Sequence, residues 1–208
     1  STSSNGVWEF GLEASSGVGL SGSLVLDWMD RWVKEETSDE ASGVRYWQMG
    51  ENCWNEVDVW PPVGVETCLY LSSTGGDAAA RNEGELVLDS PDSQLADIFD
   101  YDPADPTPTV GGKILMPFIQ LAGVYDQTPV EERSDVACYT SPVLTEPVAV
   151  SGPVKCLLWV STSAQDTDFT AKLVDIEPGG MAANLADGIV RLSKAFPDQL
   201  NELGAIRE

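Results

Sequence analysis

The sequence contains no histidine and few basic residues, and both shortages limit its chemistry. Its 208 residues include 11 Lys and Arg against 34 Asp and Glu, which gives a formal net charge of −23. A surface of this sign repels nucleic-acid phosphates and anionic lipid headgroups. We therefore expect neither nucleic acid nor a membrane as a partner. The same excess of carboxylates fits either ordinary solubility or a salt-rich habitat.

Signals for export, glycosylation and membrane insertion are also lacking. No apolar run approaches the roughly 20 residues that a membrane-spanning helix needs. The opening segment STSSNGVWEFGLEASSG has none of the basic and then apolar order of a signal peptide. No N-x-Ser/Thr sequon is present. These observations predict a soluble, cytoplasmic protein.

The cysteines, Cys53, Cys68, Cys138 and Cys156, are widely spaced and form no C-x-x-C pair. Without histidine, a zinc site would need all four thiolates, and their spacing does not support one. A disulfide between Cys53 and Cys68 stays open, although a cytosolic protein favours four buried free thiols. We expect no metal and no cofactor.

One helix is indicated near the start of the chain. Hydrophobic residues make up 42% of the sequence and seven are Trp, enough for a core. Leu24, Trp28 and Trp32 recur every four residues, which predicts a helix over residues 21–35 with an apolar face. Such a face needs a large surface to cover it.

From Gly43 onward, short β-branched and aromatic runs alternate with Pro, Gly, Asn and Asp, which is typical of an antiparallel sandwich or jelly roll. Two runs, residues 154–161 (VKCLLWVS) and 168–176 (DFTAKLVDI), are expected to be interior strands. In the second, Phe169 and Leu173 lie on one face because side chains alternate along a strand.

Two motifs near the helix suggest catalysis or cofactor binding, but both lack their context. Residues 17–22 (GVGLSG) fit G-x-G-x-x-G, yet no buried strand precedes them and no βαβ unit follows. Residues 19–23 (GLSGS) nearly match the nucleophile elbow around Ser21, but a serine nucleophile needs a base and the chain has no His. We expect no catalytic residue and no activity from this chain alone.

An acidic cluster, Asp97, Asp100, Asp102 and Asp105, offers the carboxylates that calcium prefers. The spacing is not that of an EF-hand, and Asp beside Pro is ordinary in turns. A structural or adhesive module that binds calcium through this cluster stays open as a third reading of the chain.

Trp47, Trp54 and Trp60 could form a platform on which sugars stack. In a small sandwich, Trp residues more often belong to the core or to an interface. The alternative to the function inferred below is therefore a free-standing carbohydrate-binding jelly roll. The helix argues against it, because a lectin has no use for a helix with an apolar Trp face.

Four stretches carry a more specific resemblance. They are residues 101–112 (YDPADPTPTVGG), 125–127 (YDQ), 135–144 (DVACYTSPVL) and 161–190. In order and spacing they resemble the C-terminal, X-Pro dipeptidyl-peptidase-like domain of serine hydrolases of the cocaine-esterase type, the CocE/NonD family. That family includes α-amino-acid ester hydrolases and X-Pro dipeptidyl-peptidases.

The resemblance implies a mainly β fold: an antiparallel, galactose-binding-like jelly-roll sandwich preceded by one α-helix. Residues 1–38 would be the tail of an α/β-hydrolase domain with its last helix. Residues 39–208 would be the jelly roll, ending before the family's final strands. The family's catalytic Ser, Asp and His would lie ahead of Ser1, so none is assigned to this chain.

The resemblance also implies a place near the substrate. Leu115 and Met116 follow Gly111-Gly112 at positions that reach the acyl pocket in the family, and the alternative is that both are plain core residues. The parent enzyme would cleave an ester or amide through an acyl-enzyme. Its partners would be the remainder of the hydrolase and a small ester or amide substrate.

Overall fold

The computed structural model of the chain describes residues 3–15, 21–34, 43–73, 76–77, 84–92, 95–114 and 122–195. It divides into two units, each taken by itself below. The first unit is Ser1–Glu66 with Val148–Gly152, and the second is Thr67–Pro147 with Pro153–Glu208. No helix within the described ranges is long and apolar enough to cross a membrane.

The first unit holds two short hairpins and one helix. Its elements are β1 (Ser4–Asn5), β2 (Trp8–Glu9), a 3-10 turn (Leu12–Ala14), α1 (Ser21–Trp32), β3 (Val44–Gln48) and β4 (Cys53–Val57). Strands β1 and β2 pair antiparallel, as do β3 and β4. Gly50 and Asn52, both at positive φ, form the turn between β3 and β4, which suits residues that tolerate the left-handed region.

Helix α1 confirms the helix predicted from the spacing of its Trp residues. Its apolar face, however, is not covered by the described part of the chain, because Trp28 is 57% exposed and Trp32 is 63% exposed. On the polar face, Lys34 pairs with Asp30 one turn earlier. The helix therefore has the sequence of a buried element and the exposure of a surface one.

The second unit is mainly β and is dominated by one long hairpin. Its elements are β5 (Tyr70–Ser72), β6 (Gly76–Asp77), β7 (Gly84–Val87), β8 (Asp97–Ile98), α2 (Thr128–Glu131), β9 (Tyr139–Thr140), β10 (Asp168–Ile176), β11 (Ala182–Arg191) and α3 (Leu192–Ala195). Strands β10 and β11 pair antiparallel, and so do β5 and β7. The short pairs β6–β8 and β7–β9 are parallel, which the sequence did not predict.

Strand β10 has the bounds and the alternation predicted for residues 168–176, but the prediction that it is an interior strand was wrong, because within the described residues it pairs only with β11. Phe169, Ala171 and Leu173 are half-buried while the residues between them are exposed. Its register with β11 shifts at Leu173/Val174, where a bulge interrupts the ladder. At its open end the hairpin is fastened by Arg191, whose guanidinium donates to both carboxylate oxygens of Asp168 at 2.7 Å.

Most of the buried residues of the second unit lie in the segment 124–130 or at the start of β11, and Leu192 lies directly after the end of β11. Among the described residues, the most buried apolar side chains are Val124, Val130, Ala182, Ala183 and Leu192. Two buried polar side chains, Gln127 and Asn184, lie among them in the sequence. Buried amides of this kind are tolerated only when they are hydrogen-bonded.

The prediction of an interior strand over residues 154–161 was wrong. Residues 154–159 form no strand, and Val154, Leu157 and Trp159 are each more than half exposed. An apolar run is stable as an interior strand only when neighbours cover both of its faces. The described residues do not supply that cover.

The thiols are free, as expected, but the prediction that all four are buried was wrong. Cys53 and Cys138 are half-buried, whereas Cys68 and Cys156 are exposed. The two exposed thiols lie in irregular segments rather than in covered strands. The disulfide between Cys53 and Cys68 is not formed.

Candidate functional site

Gly112 and Gly123 pair in an antiparallel bridge and form a narrow neck at the two ends of the segment 113–122. The two residues exchange backbone hydrogen bonds of 2.7 Å and 3.0 Å. Leu115 and Met116 belong to this segment but lie outside the described residues. The structure therefore locates only the two ends of the segment that carries the predicted pocket residues.

The Gly111-Gly112 pair is required by the backbone. Both residues have positive φ, 64° and 83°, where L-residues with a Cβ are strained. A Cβ on Gly111 would lie 2.5 Å from the Gly123 carbonyl oxygen. A Cβ on Gly112 would lie 2.5 Å from Oδ2 of Asp187. Position 111 therefore has room only for glycine, whereas at position 112 the Asp187 side chain can move and the positive φ is what favours glycine.

Asn184, on β11, binds the backbone on the Gly123 side of the neck. Its side chain is buried, with the residue only 5% exposed. Oδ1 accepts a hydrogen bond from the backbone N–H of Tyr125 at 2.8 Å, and Nδ2 donates to the Gly123 carbonyl at 3.2 Å. Strand β11 thereby fixes the backbone at residues 123–125.

Gln127 is the centre of the polar contacts and is only 1% exposed. Its Nε2 donates to the carbonyls of Val110 and Tyr125, both at 3.0 Å, and lies 3.1 Å from Oδ1 of Asn184. Its Oε1 accepts a hydrogen bond from Nζ of Lys172 at 2.7 Å. One side chain thus joins the segments on both sides of the neck to strand β10.

The charge at this site comes from Lys172 and its acidic neighbours. Lys172 is exposed as a residue, but its ammonium end reaches the buried Gln127 amide. Burial lowers the pKa of Lys172, while the carboxylates of Asp187 and Glu131 act to raise it. A second lysine, Lys113, approaches Asp187 at 3.8 Å and is largely exposed.

Asp126 fastens α2 to the hairpin beside the neck. Its Oδ1 accepts hydrogen bonds from the backbone N–H groups of Thr128 and Ala182, each at 3.0 Å. Asp126 also forms an antiparallel bridge with Ala183. Together with Gln127, it gives the motif at residues 125–127 its structural role.

Arg133 fastens a second cluster in the same unit. Its Nε and Nη2 donate to the two carboxylate oxygens of Asp135 at 2.7 Å and 2.9 Å, and Nη2 also reaches the Asp105 carbonyl at 2.7 Å. Thr107 donates to Asp135 at 3.0 Å. The Asp135 side chain is 5% exposed, and Arg133 lowers its pKa.

Three carboxylates of the acidic cluster that suggested calcium have different partners in the structure. Asp97 accepts hydrogen bonds from Ser73 and Tyr139, while Asp102 accepts one from the Ala104 N–H at 2.8 Å. Asp105 pairs with Arg133. Among the described residues, no group of three His, Cys, Asp or Glu side chains is arranged to hold a metal ion.

The three Trp residues considered for sugar stacking do not share one surface. Trp47 and Trp54 face each other across β3 and β4 in an edge arrangement, with ring centroids 5.4 Å apart. Trp60 instead contacts Tyr46, 5.1 Å away. Because Tyr46 and Trp47 are neighbours on a strand, they point to opposite faces.

The motif at residues 125–127 is visible in the sequence, but the roles of Gln127, Asn184 and Lys172 were not predicted from it. The available signal was local: Asn184 interrupts the apolar run at the start of β11. A polar residue between buried ones indicates a hydrogen-bonded position. Its partners could not be named, because they lie far away in the sequence.

Comparison with known proteins agrees with the resemblance. Residues 37–201 match the family model described as the X-Pro dipeptidyl-peptidase C-terminal non-catalytic domain. Cocaine esterase of Rhodococcus sp. (strain MB1 Bresler) is 40% identical over 195 residues, covering 92% of this chain and 34% of that protein. A "Putative serine esterase" of Mycobacterium bovis is 27% identical over 179 residues, covering 80% of this chain and 26% of that protein.

The chain thus spans about a third or less of the length of these curated relatives. The family match includes the neck, the motif at residues 125–127 and the hairpin β10–β11. The predicted resemblance is confirmed, and the chain belongs to the family of X-Pro dipeptidyl-peptidase C-terminal non-catalytic domains.

Proposed function

We propose that this chain is the jelly-roll domain of a CocE/NonD-type serine hydrolase and walls the substrate pocket at the junction with the catalytic domain. The parent enzyme would cleave an ester or amide bond through an acyl-enzyme. Its serine would attack the carbonyl, its histidine would carry the proton and its aspartate would orient the histidine. The family membership and the esterase names of the relatives support this proposal.

The observation that carries the pocket role is the neck. Hydrogen bonds between Gly112 and Gly123 hold the two ends of the segment 113–122 together. In the proposal, Leu115 and Met116 in that segment would form an apolar wall. Such a wall would exclude water and limit the size of the acyl group, and a Met side chain would make it adaptable.

Helix α1 supports the proposed partner. The exposed side chains of Trp28 and Trp32 form an apolar face on a helix, and contiguous apolar surface of this kind marks a site of contact with another surface. In the proposal, residues 1–38 are the tail of the α/β-hydrolase domain and residues 39–208 are the jelly roll. The remainder of the hydrolase would cover α1.

The other proposed properties follow from the charge and the chemistry. A net charge of −23 disfavours nucleic acid and anionic membranes as partners. The proposed reaction needs a small ester or amide and neither a metal nor a cofactor. We place the parent enzyme in the cytoplasm.

Met116→Ala in the complete gene product tests the pocket role. If Met116 contacts the acyl group, the ratio of kcat/KM for benzoyl and acetyl esters should change by about tenfold, because one lost apolar contact in a pocket has an effect of this order. Met49→Ala, in the turn between β3 and β4, is the matched control. A loss of about 2–5 kcal/mol in stability with an unchanged ratio would make Met116 a core residue instead.

A further inference from the structure

The orientation of the Gln127 amide is dictated by its neighbours. The Nε2 end faces three oxygen atoms, from Val110, Tyr125 and Asn184. The other end faces the Lys172 ammonium, which can only donate hydrogen bonds. In the reversed orientation, the amide oxygen would meet three oxygens and the amide N–H groups would meet the ammonium. Lys172 therefore selects the single orientation in which Gln127 can bind both sides of the neck.

The position of Lys172 in a paired strand restricts the motion of its backbone, so that its ammonium group can hold the Gln127 amide in place. It lies in the middle of β10, opposite Asp187, on a strand that is paired with β11 along its whole length. From there the contacts run through Gln127 to the carbonyl of Val110, directly before Gly111. They also reach the carbonyl of Tyr125, after the neck.

We propose that Lys172 is a positioning residue, which fixes the neck through Gln127 and thereby the base of the segment that carries Leu115 and Met116. The first step, fixing of the neck, rests on the contacts above. The second step, an effect on substrate selection, rests on the proposed function. Without the ammonium, the buried Gln127 oxygen loses its donor, and the amide is free to rotate away from the carbonyls of the neck.

Hydrogen exchange in the complete gene product tests the first step. Lys172→Met keeps the length of the side chain and removes the donor. We expect exchange of the Gly112 and Gly123 amides to rise by about tenfold to a hundredfold, as for loss of a hydrogen bond to a charged group. Lys172→Arg keeps a donor and should restore most of the protection. Lys155→Met, the same change at an exposed lysine in an irregular segment of the same unit, should leave exchange at Gly112 and Gly123 as in the wild type.

The pattern of exchange decides the proposal. Neck amides of Lys172→Met that exchange as slowly as those of Lys155→Met would overturn it. Exchange raised as much throughout β10 and β11 as at the neck would also overturn it, because Lys172 would then support the whole hairpin. If Lys172→Met does not fold, Gln127→Glu takes its place. This variant keeps a partner for Lys172 but sets carboxylate oxygens against the three oxygens, so the neck should loosen.

The ratio of kcat/KM for benzoyl and acetyl esters tests the second step in the same variants. A changed ratio in Lys172→Met that Lys172→Arg restores supports the positioning role, since a general loss of stability would not move this ratio. A loosened neck with an unchanged ratio would overturn the pocket wall and leave the fixing of the neck intact. Failure of the inference and failure of the proposed function are thus distinguishable.

Discussion

The neck with its hairpin and the helix α1 differ in how they satisfy their side chains. Around the neck, Gln127 and Asn184 are 1% and 5% exposed, and both amides bond to groups of the same chain. On α1 the reverse holds: Trp28 and Trp32 are 57% and 63% exposed. The neck buries polar groups that are hydrogen-bonded, whereas α1 leaves apolar side chains in solvent.

The difference shows which region is complete by itself. A buried polar group destabilises the fold unless it is hydrogen-bonded, so a fully bonded network specifies one arrangement from within the chain. An exposed apolar face has no partner of this kind within the described chain. It is stabilised only when a second surface covers it and removes it from water. The neck should therefore respond to changes in this chain alone, whereas α1 should respond to the presence of a partner.

The largest effect is expected from Gly111→Ala. The alanine must adopt the φ of 64° that Gly111 has, and its Cβ would lie 2.5 Å from the Gly123 carbonyl oxygen. Backbone strain and overpacking add, so we expect a loss of roughly 4 kcal/mol in the free energy of unfolding. Urea denaturation of the wild type and the variant measures it.

Gly180→Ala is the matched control for that experiment. Gly180 has a φ of 87°, but a Cβ there meets no atom within 4 Å. It should cost only the left-handed strain of about 1–2 kcal/mol. Equal losses in the two variants would mean that the neck is not closely packed, and the contrast with α1 would fail.

Trp28→Ala tests the other region with the next largest effect. If a hydrolase domain covers α1, the complete gene product should lose about 3 kcal/mol of stability, as for a buried Trp. The 208-residue chain should lose less than about 0.5 kcal/mol, because Trp28 is already 57% exposed. Asp27→Ala, on the same helix, should have little effect in either form. Small losses in both forms for Trp28→Ala would show that α1 is a surface helix.

The sequence predicted those elements whose pattern is local. The bounds of β10 follow from alternation, and α1 follows from a four-residue Trp repeat, because each pattern lies within one element. The run at residues 154–161 misled for the same reason. Its composition is that of a buried strand, but burial depends on neighbours elsewhere in the chain.

The candidate site was predicted only in part. Gly111-Gly112 was located through the family resemblance, and the structure supplies the reason for it in the approach of Gly123 and Asp187. The Lys172–Gln127 contact joins residues 45 positions apart. No periodicity or motif encodes such a contact, since it depends on how β10 lies beside α2.

The smallest effect concerns the Arg133–Asp135 pair, a second polar contact in the same unit as the neck. Both partners of this pair are charged, so the contribution of the pair to stability should depend on pH. The hydrogen bond from Arg133 holds the pKa of Asp135 below its ordinary value in the folded protein. A lowered folded pKa means stabilisation that is present above the unfolded pKa of about 3.9 and is lost as the pH falls through the folded value.

Asp135→Asn keeps an acceptor for Thr107 and removes the charge. We expect a lower melting temperature than the wild type at pH 7, and a shallower fall as the pH drops below about 4, so that the two curves converge in acid. Asp175→Asn, at an exposed position on β10, should give a curve parallel to the wild type. A parallel curve for Asp135→Asn would mean that its charge adds nothing. The Arg133–Asp135 contact would then stabilise this unit through hydrogen-bond geometry alone, as the contacts of Asn184 with the backbone do at the neck.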